Sequence, residues 1–175
     1  SPLTDVGVQQ CAALAAEVQA LTDKPELIVV SPLQRAIHTA QLAFRPTEIG
    51  AEGPPFLCTE LARERISWHT CDGRRNKRAI VTDFPFVDFS LVTAEADPMW
   101  GQKEDTPDDS SSVECAARAV ALLHFLRDRP ERTIAVVSHW VFYTHMFRLF
   151  EDARLHAKFG NAEMRKVVLC KDRGE

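Results

Sequence analysis

Two short apolar runs constrain this chain more than anything else in it. Leu27-Ile28-Val29-Val30 and Thr133-Ile134-Ala135-Val136-Val137 are rich in β-branched residues and show no polar alternation. Such a run reads as a strand buried on both faces, the mark of a parallel sheet covered by helices. Each run passes through polar residues straight into a helical stretch: Ser31-Pro32-Leu33-Gln34-Arg35 after the first, Ser138-His139 after the second. Ser as N-cap and Pro at the first helical position open a helix that extends to about Phe44. An aromatic helix follows His139, from Trp140 to about Phe150.

The remaining elements fit the same plan. Thr4 is an N-cap for a helix whose stripe is Val6, Gln10, Leu14, Val18 and Leu21, widened by Cys11 and Ala15 and ended by Asp23-Lys24-Pro25. Ser111 and Glu114 stand in capping-box relation before a long helix. Val113, Ala116, Ala117, Val120, Leu122, Leu123 and Leu126 supply its buried side. Met164 to Cys170 reads as a weaker last strand. Arg45 to Pro55 is loop-like. Residues 56–109 read as a long irregular insertion with one or two short helices, placed over one end of the sheet as lids and binding loops are. The alternation predicts an α/β sandwich with a mostly parallel sheet, in one domain over residues 1–175.

Composition limits the class of protein. Of 175 residues, 45% are apolar and 26% charged, the balance of a soluble globular chain. No apolar run approaches the ~20 residues of a membrane helix, and SPLTDVGVQQ has no secretory character. A net charge of −4 argues against nucleic acid and against an anionic membrane as partner. Cys11, Cys58, Cys71, Cys115 and Cys170 form no CxxC and read as reduced thiols of a cytoplasmic protein. Cys58, His69 and Cys71 have the spacing of no common zinc site, so neither metal nor cofactor is expected.

Candidate chemistry sits at the two strand ends. In open α/β sheets ligands bind outside the carboxyl ends of the strands, where helix N-termini favour anions. Arg35 lies in the first turn of its helix, and His139 at the matching end of the other strand. Singly, such an Arg is ordinarily solvated and such a His structural. At equivalent strand ends together they outline an anion site. Arg74, Arg75, Lys77 and Arg78 form a basic cluster that reads either as a solvated face or as a selector of anionic substrate. His38 and His124 sit within helices and read as structural.

Several segments, in order, resemble the histidine phosphatase superfamily, and in particular its phosphoglycerate mutase-like branch. SPLTDVGVQQ is similar to that family's pLTxxGxxQ segment, VVSPLQRAIHTA to its SPLxRAxxTA segment, and Val136 to His139 to its second-histidine motif. RERISWHTCDGRR and Asn161 to Arg165 resemble further segments of the branch. The resemblance implies a three-layer α/β/α sandwich. It implies a phosphohydrolase acting on a small phosphorylated metabolite through a phosphohistidine, or a mutase proper. Arg35 would bind the phosphoryl group and His139 would hydrogen-bond it. Glu64 would protonate the leaving oxygen, with Glu60 as the other choice, and Ser31 would cap the helix at the pocket edge. Arg74 and Arg75 would bind substrate. Arginine, histidine and a protonated carboxyl suit phosphoryl transfer, which is mostly positioning and charge stabilisation.

Two departures from the family pattern bear on this. Its nucleophile lies in an Arg-His-Gly triplet at the end of a central first strand, and this chain contains no such triplet. The triplet and its strand are expected upstream of Ser1; the alternative is a non-catalytic phosphate-binding or regulatory protein on the same fold. A gap at that strand would leave neighbouring backbone groups unpaired. Trp140 stands where the family has a small residue, either crowding the pocket or packing outward.

Overall fold

Leu27–Val30 (β1) is fully buried and sits between two other strands. The computed structural model describes residues 2–46, 53–67, 69–100 and 108–170, with the side chains of 108–111 left aside. Its sheet is parallel throughout. Phe56–Cys58 (β2) pairs with one edge of β1, Val29 facing Leu57. Ile134–Val137 (β4) pairs with the other, Val29 facing Val136. Val87–Asp88 (β3) extends the sheet beyond β2, giving the order β3-β2-β1-β4. The described strands form a continuous ladder, and β4 lies at one end of it, half-buried.

Alternate residues of β1 feed two cores, as a pleated strand requires. Ile28 and Val30 pack with Leu14 and Val18 of Asp5–Ala20 (α1), Ile37 and Ala40 of Gln34–Phe44 (α2), and Ile80 of Lys77–Asp83 (α3). Leu27 and Val29 pack with Cys115, Ala119 and Leu122 of Asp108–Arg127 (α4) and with Phe142 and Met146 of Trp140–Phe147 (α5). Helices on both faces make the three-layer α/β/α sandwich.

Local signals hold where the chain itself supplies the partner. Thr4 Oγ1 accepts the Gly7 N–H at 3.1 Å and caps α1. The Lys24 ammonium donates to the Val18 carbonyl at 3.0 Å, satisfying one of the last carbonyls of that helix.

Other expectations are corrected. The helix after Ser31-Pro32 begins only at Gln34, with Leu33 as an N-cap that offers no side-chain bond. Ser31 still belongs to the ladder, since its N–H donates to the Val137 carbonyl at 3.0 Å. The long fourth helix is already formed at Asp108, so Ser111 is not its cap. Its buried stripe is Cys115, Ala119 and Leu122, while Val113 and Val120 are exposed. Apolar residues lie on several sides of that helix, and contact with the sheet decides which side is covered. α5 ends at Phe147. Residues 56–109, read as irregular, contain β2 and β3, too short to show a period. Met164 to Cys170 forms no strand; Val168 is 81% exposed. An apolar β-branched run becomes a strand only where a free edge takes its N–H and C=O groups.

Candidate active site

The ends of β1 and β4 meet in one contact. Ser31 Oγ lies 2.9 Å from His139 Nε2, both residues buried. Ser31 Oγ also accepts the Leu33 N–H at 3.4 Å. Val30 pairs with Val137, so Ser31 follows level with Ser138 and His139 stands one residue beyond, and the two sequence-predicted strand ends converge. Burial, then the charges of Arg35, Arg118 and Arg63, hold His139 well below the ordinary imidazole range. Its ring is therefore neutral at neutral pH, a hydrogen-bonding group and not a cation.

Arg35, in the first turn of α2, keeps about a quarter of its side chain exposed. One terminal nitrogen donates to the Cys71 carbonyl, and the other donates to Asp72 Oδ1 at 3.2 Å. Asp72 is buried, and Ser67 Oγ donates to its second oxygen. A carboxylate thus fixes the guanidinium beside the Ser31–His139 pair.

Glu64 reaches the same place from the loop after β2. Its Oε1 accepts the Phe142 N–H and the Arg65 N–H, each at 2.9 Å. Phe142 is the third residue of α5, whose first residues carry unpaired N–H groups. His139, the N-cap, offers no side-chain bond, so Glu64 caps the helix from across the fold. Burial raises the Glu64 carboxyl and Asp72 adds to this; the two N–H bonds and Arg35 oppose it, and burial wins. The group keeps its proton to higher pH than an ordinary glutamic acid, as a proton donor needs. Glu60 is placed differently: its Oε2 accepts from Arg63 at 3.2 Å, and its Oε1 lies 2.7 Å from Arg74 Nε.

The two arginines of the basic cluster named for substrate, Arg74 and Arg75, separate. Arg74 is buried, and its terminal nitrogens donate to the carbonyls of Arg75, Glu95, Ala94 and Ala96. Its donors serve the loop at 94–96, so it is neither a solvated charge nor placed to bind substrate. Arg75 remains half-exposed, donating to Gln34 Oε1 at 3.3 Å, next to Arg35 at the start of α2, and to Asp83. Trp140 packs outward, 45% exposed, with the Lys158 ammonium 4.5 Å from its ring centroid.

Sequence reasoning missed the supporting charges. Arg63 has no exposed side chain and is held by both Asp97 oxygens and by the Asp72 carbonyl. Arg118 donates to the carbonyls of Arg63 at 2.6 Å and Glu64 at 2.9 Å. The available signal was a lone arginine three residues after Cys115 and four before Leu122, bordering the buried stripe of α4. Among the described residues no group of three His, Cys, Asp or Glu side chains is placed to hold a metal ion. Cys71 Sγ lies 3.7 Å from Asp72 Oδ1.

Comparison with known proteins points to a family. Residues 1–76 match the profile of the Histidine phosphatase superfamily (branch 1). The chain is 33% identical to a Phosphoglycerate mutase-like protein of Arabidopsis thaliana, over 98% of this chain and 73% of that one. It is 30% identical to Phosphoglycerate mutase-like protein 1 of the same plant, over 95% of this chain and 69% of that one. Among solved structures it resembles the ecdysone phosphate phosphatase of Bombix mori, determined in complex with tungstate. The TM-score is 0.58 and the identity 15%, covering 97% of this chain and 64% of that one. At that identity the likeness is one of fold.

Proposed function

The chain belongs to the histidine phosphatase superfamily, in its phosphoglycerate mutase-like branch, and from that premise we propose that it is a phosphohydrolase of a small phosphorylated metabolite. The observation that carries the reading is the buried Glu64 carboxyl on the N-terminus of α5, the helix that His139 opens, within the field of Arg35. In the proposed reaction Arg35 binds the equatorial oxygens of the phosphoryl group, and neutral His139 donates a hydrogen bond to them, its ring oriented by Ser31. A histidine N-terminal to Ser1 attacks phosphorus. The ester bond breaks, and Glu64 passes its proton to the leaving oxygen. Water then attacks the phosphohistidine, the Glu64 carboxylate taking its proton, and inorganic phosphate leaves. Arg75 stands at the rim, where it meets the rest of the substrate. No metal enters these steps.

The test is hydrolysis of p-nitrophenyl phosphate by the full-length polypeptide, with and without chelator. Arg35→Ala and His139→Ala should each lose about 10²-fold or more in kcat, the scale of removing one donor to a developing charge. Undiminished turnover in both variants would refute these roles.

A further inference from the structure

We propose that Arg118, on α4, is the positioning residue of the proton donor: it locks the backbone at residues 63–64 against the start of α5, and so aims the Glu64 carboxyl. The proposal rests on the reading of Glu64 given above. Its geometry is a closed circuit. The Arg118 guanidinium donates to the carbonyl of Glu64 itself and to that of Arg63. Its Cζ lies over the Phe142 ring, 5.8 Å from the centroid. The Phe142 N–H donates in turn to Glu64 Oε1. One side chain therefore touches both ends of the contact that orients the carboxyl.

The cost of this arrangement argues for a use. Arg118 gives its terminal N–H groups to two neutral carbonyls, with the Glu64 and Glu114 carboxyls only partly offsetting its burial, and its Nε is buried without a hydrogen-bond partner. Withdrawing a cation from water with its hydrogen bonds made to neutral groups opposes folding. Burial accordingly lowers the proton affinity of Arg118. An apolar side chain between Cys115 and Leu122 would suit the core of α4 better. Only a forked guanidinium spans two successive carbonyls while lying over an aromatic ring; a lysine ammonium reaches one of them.

Charged and titratable groups face Glu64 from every side. Arg65 and Asp72 come from its own loop region, Arg35 from α2, and Cys115 and Arg118 from α4. Burial first, with the Glu64 charge adding to it, pushes the Cys115 thiol up to about 11, so it stays neutral while Glu64 titrates.

Two measurements test the proposal. The first follows the Glu64 carboxyl by carbon-13 NMR through a pH titration of the 175-residue chain. Arg118→Gln should shift its midpoint upward through loss of a nearby cation, and Arg118→Lys should leave it close to wild type. An unchanged or lowered midpoint in Arg118→Gln overturns the proposal. The second compares a nitrophenyl phosphate with an alkyl phosphate in the full-length polypeptide. Alkoxide departure needs the proton and nitrophenolate departure does not. Both variants should lose about 10²-fold on the alkyl ester and little on the aryl ester. Equal losses on both esters would mean a merely structural role and would also overturn it. Absence of turnover in the wild type would count against the proposed activity alone, because the titration needs none.

Discussion

Replacing Asp97 by alanine should cost this fold more than any loop substitution of similar size. Asp97 is almost fully buried, and it accepts five hydrogen bonds. Arg63 supplies two of them, and the N–H groups of Arg74, Met99 and Trp100 supply the rest, at 2.7, 2.9 and 3.1 Å. Arg63 has no exposed side chain at all. Without Asp97 its charge is left in the interior with, among the described residues, Glu60 as its remaining carboxylate contact, at 3.2 Å. Breaking a buried pair from one side costs about 3–5 kcal/mol. The three freed N–H groups lie in the 74–100 region and can reach water by loosening, so their penalty is not added in full. A loss of about 4 kcal/mol corresponds to roughly 8–16 °C in Tm for a chain of this length. Urea and thermal unfolding of the 175-residue chain measure it. The double replacement Arg63→Met with Asp97→Leu should recover about half of the loss or more, since apolar packing replaces a buried pair at little cost. Acid should act in the same direction. Burial pushes the Asp97 carboxyl up, but the bonds from Arg63, Arg74 and Met99 outweigh it, so the net shift is downward from 3.8. Its stabilisation is therefore complete above 3.8 and is lost as pH falls through the lower folded value. A loss below about 1 kcal/mol in Asp97→Ala would refute the reasoning.

Glu64 and His139 give two further tests, opposite in their chemistry. The folded Glu64 carboxyl titrates above 4.5, so it favours folding at low pH, and this contribution falls away between 4.5 and the folded midpoint. Glu64→Gln should remove that slope from the pH dependence of unfolding and, in turnover, the fall in alkyl-ester rate as Glu64 loses its proton. A slope unchanged by the substitution would count against a buried carboxyl. His139 titrates below 6.5 in the folded chain, so its contribution is present above 6.5 and is lost as pH falls through and below that value. His139→Gln should flatten stability below pH 6.5, and an undiminished slope would show the ring to be solvated.

Much of the fold is legible in the chain because its signals are local. The two β-branched runs, the Thr4 cap and the helical stripe around Leu14 and Val18 each rest on residues a few positions apart. Ser31, Arg35 and His139 could be placed because strand polarity sends each to the same end of the sheet. Glu64 could be named from family resemblance, but nothing in its surroundings distinguished it from Glu60. The distinction lies in the loop path, which takes Glu64 to the Phe142 N–H and leaves Glu60 between Arg63 and Arg74.

The sequence by itself determined the layered architecture, the parallel direction of the principal strands and the strand ends that bring Ser31 and His139 together. It did so because hydrophobic period, caps and strand exits are properties of neighbouring residues. Tertiary structure alone decided which charges are buried and what each one holds. Arg74 looked like a member of an exposed basic patch and instead binds loop carbonyls. Met164 to Cys170 looked like a strand and forms no ladder. Arg118, unremarked in the sequence, joins α4 to the segment carrying Glu64. A charge is burdensome or useful according to the dielectric and the partners around it, and a strand exists only beside another. Both depend on residues tens of positions away, which no local pattern encodes.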